Sequence, residues 1–451
     1  MKPDSFAACA AWFSQREKIF RRLAIGLAAA VFVVQWVRAG VKLEDGDFFL
    51  HWKFATRFVH QQLMYADGLH VPYPPFWGMA WSPIAAFSVG AAKVLAYPLS
   101  LAALALLWFV LDRLTRRQLP LDRTKVFWVG AAALALSSRF VIRELPECGP
   151  NLLLLALSWL AVWLWVERRE VLGGTCLGLA IAMKCTPGLF LAYFAWKRQW
   201  KMAASTATAA LAFTLAPVLW QGPADYRQHM EIWLTQLAQS AAQSDPSRGV
   251  LGEEELKNLS LRPAVARFLM RLPAGHLSRV DHPAYLEFLD LSPAAADRAV
   301  KLALLALVVF STWTFRRPVE ARDDLTIVWE CAAVSVLILL FSPITWAQHC
   351  VAFLPAFYLL ARAAFVRGRS QRWIEAAVAA FVVVNLLLNR GLLVRDLAML
   401  LASYHLQTFS FLGILAVLFA CRARESALTA SADAEVIRLF RASGFYRRKA
   451  A

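Results

Sequence analysis

The sequence predicts an all-α polytopic membrane protein, a bundle of about 12 transmembrane helices with extracytoplasmic surface helices and one long outer loop. Hydrophobic residues make up 59% of the 451 residues, and the mean hydropathy is +0.50. They fall in repeated blocks of about 20 residues, the length that a helix needs to cross a bilayer. This is far more apolar surface than one soluble core requires.

The net charge of +17 does not indicate a nucleic-acid partner. Lys and Arg gather in short stretches between the apolar blocks, as topology signals and contacts with anionic membrane lipids require. The seven cysteines are scattered, with no CxxC or Cys/His spacing typical of zinc sites. We therefore expect no disulfide framework and no zinc site.

The N-terminal segment 1–22 is basic and precedes the first apolar block at 23–40. No small-residue cleavage site follows it, so we expect a cytoplasmic start and an uncleaved first span. Further spans are predicted by length and hydropathy. They lie near 76–92, 95–112, 126–142, 150–166, 171–196, 202–219, 299–315, 325–342, 347–366, 373–389 and 405–421.

Basic connectors set the expected topology, because Lys and Arg favour the cytoplasmic side. In the second half of the chain, 314–324, 361–373 and the tail 423–451 fall on that side. Two connectors of the first half, 112–125 and 167–170, fall outside if every candidate crosses once. A second topology keeps both inside by making 76–93 and 171–196 re-entrant or paired half-helices. Both topologies place the chain outside by residue 220.

One long polar segment, 220–298, separates an N-terminal transmembrane module (23–219) from C-terminal spans (299–422). It is rich in proline and in charges of both signs. We expect a loop with short helices on the extracytoplasmic face, either facing the substrate or forming a solvated cap on the bundle.

The first outer loop, 41–75, has three clustered acids near its start, Glu44, Asp45 and Asp47, and a helical pattern after them. Apolar residues recur at helical spacing after Asp47, which predicts a helix along the membrane surface; they are Phe48, Trp52, Ala55, Val59 and Leu63. Asp45 or Asp47 could cap this helix and complement its dipole. Together with Glu44 they could also hold a divalent metal, although three clustered acids are weak support for one.

Five short blocks, in order, resemble glycosyltransferase family 87, integral-membrane enzymes of the GT-C superfamily. The opening block, DF…Y…YPP…P in the family, is matched by Asp47-Phe48, Tyr65, Tyr73-Pro74-Pro75 and Ser82-Pro83. The second is GPNLLLLALSWLAV (149–162), which keeps Asn151 but has Pro150 where Gln is usual.

The other three blocks continue the resemblance. LGLAIAMKCTPGLFLAYFAWKRQWK (177–201) matches the family's Lys-x-x-Pro segment through Lys184 and Pro187. KNLSLRPAVARFL (257–269) matches its Asn-x-Ser-Leu loop through Asn258 and Ser260. FSPITWAQHCVAFLPAF (341–357) matches its Ser-Pro-x-x-Trp-x-x-His block, with Gln348 where a second His is common.

The resemblance implies a GT-C-type bundle and a transferase that moves a sugar, typically mannose, from a polyprenyl phosphate to a hydroxyl of a glycan or glycolipid outside the cytoplasm. It also implies an active-site acid in the first outer loop, which is Asp47 here. Chemistry requires the same group, because a carboxylate can take the acceptor's proton while the sugar carbon passes, with inversion, through an oxocarbenium-like state. The leaving phosphate is already anionic and needs charge stabilisation more than a proton, and this chemistry does not require a cofactor or divalent metal.

Two further residues are predicted to act on the leaving group. Lys184 interrupts an apolar block, where an unpaired ammonium costs about 2.5–3.5 kcal/mol, and we assign it to the lipid phosphate. Snorkelling, or pairing with a carboxylate in the bundle, is the alternative. His349 is predicted to bind phosphate or to serve as an alternative base, although a lone histidine is more often structural.

Trp346 is predicted to stack on a sugar or to anchor at the interface. Arg57 is predicted to help bind phosphate, or else to face lipid headgroups. The remaining members of the predicted substrate-binding set are Tyr73, Asn258, Ser260 and Asp45. We interpret Arg139, Arg143, Glu144 and Glu147 as interfacial residues that pair among themselves.

Two other classes of protein fit part of the pattern. A transporter or flippase would have a similar number of spans and embedded charges, but it would often show two matching halves, and no internal repeat is visible. A non-catalytic assembly partner would keep the scaffold with an idle acid. The expected location is the bacterial cytoplasmic membrane, with the site on the outer face.

Overall fold

The computed structural model describes residues 3–41, 46–66, 73–368, 371–388 and 392–442. Its regular structure is almost entirely helical. The helices of the first half are α1 (Pro3–Val41), α2 (Asp47–Val59), α3 (Phe76–Trp81), α4 (Val89–Thr115), α5 (Arg123–Leu136), α6 (Ser138–Glu144), α7 (Asn151–Val166), α8 (Glu170–Met183), α9 (Gly188–Trp196), α10 (Trp200–Leu215) and α11 (Val218–Gln221).

The second half contains one short antiparallel hairpin and eight further helices among the described residues. These elements are α12 (Pro223–Ala242), β1 (Arg248–Gly249), β2 (Gly252–Glu253), α13 (Leu261–Leu269), α14 (Pro293–Thr314), α15 (Leu325–Phe341), α16 (Leu354–Arg367), α17 (Arg372–Val382), α18 (Arg395–Ser403) and α19 (Leu406–Ala442). A 3₁₀ segment, Ala347–Phe353, leads into α16.

Five helical segments are long and apolar enough to cross a membrane, and a sixth is possible if the bent pair α5–α6, with its 74° angle, counts as one span. The five are Gln15–Val41, Val89–Thr115, Trp200–Gln221, Ala347–Arg367 and Leu406–Leu428. The described chain is thus an α-helical membrane protein with fewer full-length spans than the 12 predicted. Three apolar helices, α7, α8 and α15, have only 16, 14 and 17 residues. A helix needs about 20 residues to span the bilayer core alone.

Besides the bend between α5 and α6, two of the predicted spans are broken next to a proline. Segment 76–92 is not one helix, because α3 has six residues and gives way to a 3₁₀ turn at Ser82–Ala86 that contains Pro83. Segment 171–196 breaks after α8, where Lys184 has an extended backbone with φ −155° and ψ 127°. Pro187 lacks an amide hydrogen and precedes α9. Both breaks fall in the segments that the second topology requires to be re-entrant or paired half-helices.

The basic connectors of both halves meet at one end of the bundle. Arg117 pairs with Asp323 at 3.4 Å, and Arg322 pairs with Glu170 at 2.8 Å. Connectors 112–125 and 167–170 therefore lie beside 314–324. Helices α7, α8 and α15 run from this end to the opposite end, a distance of about 20–25 Å at 1.5 Å per residue.

At that opposite end, α2 forms the predicted helix after the first span. Its buried face contains Phe48, Phe54 and Phe58, and it packs on α3. The half-buried Trp52 donates its indole hydrogen to the Phe87 carbonyl at 2.9 Å. The aromatic rings bury a large apolar area, which fixes α2 to the bundle.

The long polar segment 220–298 covers the same end. It contains α12, the hairpin and α13 rather than short helices alone. His229 of α12 accepts a hydrogen bond at 3.0 Å from the backbone amide of Met64, in the connection that follows α2. The segment therefore lies against the connection after α2, in the predicted first outer loop.

Candidate active site

Asp47 is the first residue of α2, and its side chain is half-buried. Its Oδ2 accepts a hydrogen bond of 2.8 Å from Nε2 of Gln348. Gly46, the N-cap, has φ 107°, a conformation that favours glycine, and any side chain there would clash with the carboxylate of Glu147. The backbone before Asp47 is therefore closely packed against a second acid.

Burial raises the pKa of Asp47 above its usual range. The hydrogen bond from Gln348 lowers the pKa, and the nearby charge of Glu147 raises it. Lys184 and Lys257 lower it through their positive charges. The raised pKa makes Asp47 a stronger base than an exposed aspartate. A general base works best when its pKa approaches the working pH.

Lys184 lies at the break between α8 and α9 and is only 7% exposed. Its Nζ lies 3.3 Å from Oδ1 of Asn151 and 3.3 Å from Nε2 of His349. The ring of Tyr73 lies beneath it, with Nζ 5.6 Å from the ring centroid. An ammonium has three hydrogens and the bond to Oδ1 of Asn151 uses one, so hydrogens remain for a ligand in the adjoining cavity that Lys184 lines.

His349 is held in the 3₁₀ segment before α16. Its Nδ1 accepts a hydrogen bond of 3.2 Å from the backbone amide of Trp346. The two rings are nearly parallel, with centroids 6.2 Å apart. Lys257 lies over the Trp346 ring at 4.6 Å. The segment 346–349 thus contacts two cations, Lys257 through Trp346 and Lys184 through His349.

Asn151 begins α7 beside Lys184, and a buried carboxylate lies behind it. Glu144 accepts hydrogen bonds from the Asn151 backbone amide at 2.8 Å and from Asn151 Nδ2 at 2.9 Å. It also accepts one from the Leu152 amide at 3.3 Å. The expected pairing of Glu144 with neighbouring arginines is therefore wrong, because its oxygens are used by amides at a helix N-terminus.

Tyr73 stands in an aromatic cluster under Lys184. Its ring stacks on Trp77 with centroids 4.1 Å apart and lies edge-on to His51 at 5.4 Å. Burial, followed by the charge of Lys184, lowers the pKa of His51 to about 3, so this imidazole is neutral. His51 accepts a hydrogen bond from the Trp77 indole at 3.2 Å. This cluster holds the Tyr73 ring in place next to Lys184.

Asn258 supports the site from within the protein. Its Oδ1 accepts hydrogen bonds from the amides of Ser260 at 3.1 Å and Thr345 at 2.9 Å. Its Nδ2 donates to Glu254 at 3.0 Å and to the Pro343 carbonyl at 2.9 Å. These contacts hold the loop before His349, and they leave Asn258 no polar atom for a ligand. Ser260 is fully buried as the N-cap of α13.

Arg57 is not brought to the cluster. It lies ten residues after Asp47 in α2, about 15 Å along the helix axis. Its guanidinium donates to the carbonyls of Met64 at 3.1 Å and Ala66 at 3.3 Å. Asp45 and Glu44 lie outside the described residues. In the described part of the chain no group of three His, Cys, Asp or Glu side chains could hold a metal ion.

Two cavities flank segment 345–349. A small one of about 60 Å³ is lined by Lys184, His349, Asn151 and apolar side chains of α7, α9 and α15. A large one of about 1020 Å³ is bordered by Asp47 and Gln348. Its other lining residues are both polar and apolar, and they include Arg143, Glu147, Lys257, Trp346, Leu386, Leu388, Met399, Leu401 and Leu406. Asp47 therefore borders the large cavity, whereas Lys184 and His349 border the small one, on two sides of this short segment.

Sequence reasoning missed Gln348 and Glu144 as members of the site. Gln348 was only a departure from the family pattern, and its partner Asp47 lies 301 residues away. Glu144 reaches the start of α7 because Cys148 has φ 45°, a left-handed turn that reverses the chain. No local periodicity signals either contact.

Comparison with known proteins identifies the family of this chain. The sequence model of glycosyltransferase family 87 matches residues 71–343, more than half of the chain. Asp47 lies 24 residues before the matched range and His349 six residues after it, whereas Lys184 lies within it. Two curated relatives are described as polyprenol-phosphate-mannose-dependent alpha-(1-2)-phosphatidylinositol mannoside mannosyltransferases.

The relative from Mycobacterium tuberculosis (strain ATCC 25618 / H37Rv) is 27% identical over 311 residues, which cover 65% of this chain and 62% of the relative. The chain thus spans less than two thirds of that relative's length. The relative from Mycolicibacterium smegmatis (strain ATCC 700084 / mc(2)155) is 28% identical over 345 residues, or 70% and 69% of the two chains. With more than half of its length matched by the family's own sequence model, the chain belongs to glycosyltransferase family 87.

Proposed function

We propose that this protein is a membrane glycosyltransferase that moves a sugar, with mannose as the expected one, from a polyprenyl-phosphate donor to a hydroxyl of a glycolipid or glycan. The single observation that carries this proposal is that a half-buried carboxylate, Asp47, and a buried ammonium, Lys184, lie at the same end of the bundle. The chemistry needs both, a base for the acceptor and a cation for the departing phosphate.

In the proposed reaction the acceptor hydroxyl attacks the anomeric carbon from the side of the large cavity. The bond from that carbon to the acceptor oxygen forms as the bond to the phosphate oxygen breaks. Asp47 receives the hydroxyl proton, and polyprenyl monophosphate leaves with the bonding electrons. A single displacement of this kind inverts the anomeric configuration. Gln348 holds the carboxylate in place through its 2.8 Å hydrogen bond.

Lys184 and His349 stabilise the leaving phosphate in this proposal. Hydrogen bonds from an ammonium to a phosphate are strong because they are charge-assisted, and burial strengthens them further. Trp346 borders the large cavity and could stack on a sugar face. Tyr73 supports Lys184 from below. The scheme needs no divalent metal.

We further propose that the site faces the extracytoplasmic side of a bacterial cytoplasmic membrane. The basic connectors meet at one end of the bundle, and Lys and Arg are enriched on the cytoplasmic side of membrane proteins. Asp47, Lys184 and His349 lie at the other end. The names of the two relatives support a lipid-linked donor and a glycolipid acceptor.

The test is transfer of labelled mannose from polyprenyl-phosphate-mannose to a membrane-lipid extract by the detergent-purified protein. Asp47→Asn should lower the rate by roughly 10²- to 10⁴-fold, because it removes the base. Asp281→Asn, at an exposed acid of segment 220–298, is the matched control and should transfer at the normal rate. Transfer by Asp47→Asn at the wild-type rate would remove Asp47 from the mechanism.

A transporter or flippase predicts a different result. It would move the labelled lipid between the leaflets of a reconstituted vesicle and would form no new glycosidic bond. Absence of transfer by the wild type, together with such movement, would replace the enzyme proposal. The anomeric configuration of the product, read by NMR, tests inversion separately.

A further inference from the structure

Glu144 is a fully buried carboxylate that the proposed reaction does not use. It ends α6, and the chain then turns back through Cys148 so that its carboxylate meets the N-terminus of α7. Carboxylates are stabilised at helix N-termini by unpaired amides and by the helix dipole. This explains two of its hydrogen bonds, those from the backbone amides of Asn151 and Leu152.

The third hydrogen bond has a separate consequence. Oε2 of Glu144 accepts from Nδ2 of Asn151 at 2.9 Å. A carboxylate only accepts, so it selects the amide orientation that turns Nδ2 toward Glu144. The opposite atom, Oδ1, must then face Lys184, whose Nζ lies 3.3 Å away. The acid thus determines which end of the amide the ammonium meets.

We propose that Glu144 is a positioning residue: through the Asn151 amide it holds the Lys184 ammonium at the donor phosphate without neutralising it. This inference rests on the proposed function, because it assumes that Lys184 binds the phosphate of the polyprenyl donor. The inference explains why Lys184 contacts the Asn151 amide and not a carboxylate.

A second buried lysine shows the alternative arrangement. Lys197 lies 2.8 Å from Glu330, and its side chain is 2% exposed. A direct ion pair of that kind uses the charge of the lysine inside the protein, and it leaves little attraction for a ligand. Lys184 forms no ion pair with any carboxylate among the residues that the structure describes. The interposed amide keeps Lys184 in place and keeps its charge available to a phosphate.

The turn before α7 is built around the carboxylate. A Cβ atom at Gly149 would lie 2.5 Å from Oε2 of Glu144, so any larger residue would displace the acid. Glu144 can therefore keep this position only if residue 149 has no side chain. Gly149→Ala offers a way to disturb Glu144 without changing its chemistry.

The test compares Glu144→Gln, Asn151→Ala and the double variant with the wild type. Glutamine at 144 offers an NH₂ group to the Asn151 NH₂ group, so the Asn151 amide flips and presents hydrogens to Lys184. We expect each single variant to raise the KM for polyprenyl-phosphate-mannose roughly tenfold, with the KM for the acceptor unchanged. Binding of polyprenyl monophosphate, measured directly on the purified proteins, should weaken by the same factor.

The double variant separates positioning from a merely structural role. If Glu144 acts through Asn151, the double variant binds polyprenyl monophosphate no more weakly than Asn151→Ala alone. The matched control is Glu170→Gln, the same substitution in the first turn of α8, about 20 Å along that helix from Lys184. It should leave both KM values unchanged.

Four results would overturn the inference, and the last of them would also overturn the proposed function. In the first, the losses of polyprenyl-monophosphate binding caused by Glu144→Gln and Asn151→Ala multiply in the double variant. In the second, Glu144→Gln has the wild-type KM for the donor and binds polyprenyl monophosphate as tightly as the wild type. If Glu144→Gln does not fold, a normal donor KM for Asn151→Ala overturns it instead. A wild type that neither transfers mannose nor binds polyprenyl monophosphate overturns the proposed function as well, and that result is recognised without any variant.

Discussion

Oδ2 of Asp47 lies 2.8 Å from Nε2 of Gln348, although the two residues are 301 positions apart in the chain. The contact joins the start of α2 to the segment that leads into α16. It places the proposed base beside His349 and at the edge of the large cavity. The position and the basicity of Asp47 therefore depend on a residue from the far half of the protein.

Replacement of Gln348 should slow the reaction and change its pH dependence. Gln348→Met removes the donor while keeping a similar volume, so Asp47 loses its orientation and the charged carboxylate loses a hydrogen bond. We expect kcat/KM to fall roughly tenfold or more. The acid limb of its pH profile should move to higher pH, because the lost bond had lowered the pKa of Asp47. Gln62→Met, at an exposed position, is the control, and an unchanged profile for Gln348→Met would contradict the prediction.

The charges around Asp47 predict opposite pH shifts for two variants. Asp47 works deprotonated, so activity falls as the pH drops through its pKa. Glu147 raises this pKa and Lys257 lowers it. Glu147→Gln should therefore move the acid limb of kcat/KM to lower pH, and Lys257→Met should move it to higher pH, each by up to about one unit. Shifts in the same direction would show that another group controls the limb.

Loss of the Asn258 side chain should affect both stability and activity. Asn258→Ala leaves the amides of Thr345 and Ser260 without their acceptor, and it frees the loop before His349. We expect a loss of about 1–3 kcal/mol in the free energy of unfolding, together with slower transfer. Denaturant unfolding of the purified protein measures the first, and Gln228→Ala, on the exposed face of α12, provides the comparison. Normal stability with a raised acceptor KM would instead assign Asn258 to substrate.

A buried charge cluster at the basic end of the bundle should matter for stability alone. Glu330 accepts hydrogen bonds from Tyr193 at 2.7 Å and from Arg422 at 3.0 Å, and it pairs with Lys197 at 2.8 Å. Glu330→Gln leaves two buried cations without their carboxylate, which should cost about 3–5 kcal/mol of unfolding free energy. Exposed Glu320→Gln should change it by less than about 0.5 kcal/mol. Equal melting temperatures for the two variants would refute this.

The helices show what local sequence can decide. Continuous apolar blocks predicted α1, α4 and α19, because burial of apolar side chains in a bilayer depends on composition and length alone. The pattern after Asp47 likewise predicted α2. The breaks in 76–92 and 171–196 were one of two open alternatives, because the prolines at 83 and 187 permit a break but do not impose one. The contacts between Arg117 and Asp323 and between Arg322 and Glu170 placed the early basic connectors beside the late one.

By itself, the sequence determined the membrane class, the family resemblance and the candidacy of Asp47, Lys184 and His349, since these depend on composition and on short motifs in order. Only the tertiary structure decided that Lys184 meets His349 and Asn151, that Asn258 and Arg57 make internal contacts, and that Glu144 and Gln348 belong to the site. The physical reason is that hydrogen bonds act over about 3 Å between residues far apart in the chain. Which residues come that close depends on how the helices break, turn and pack.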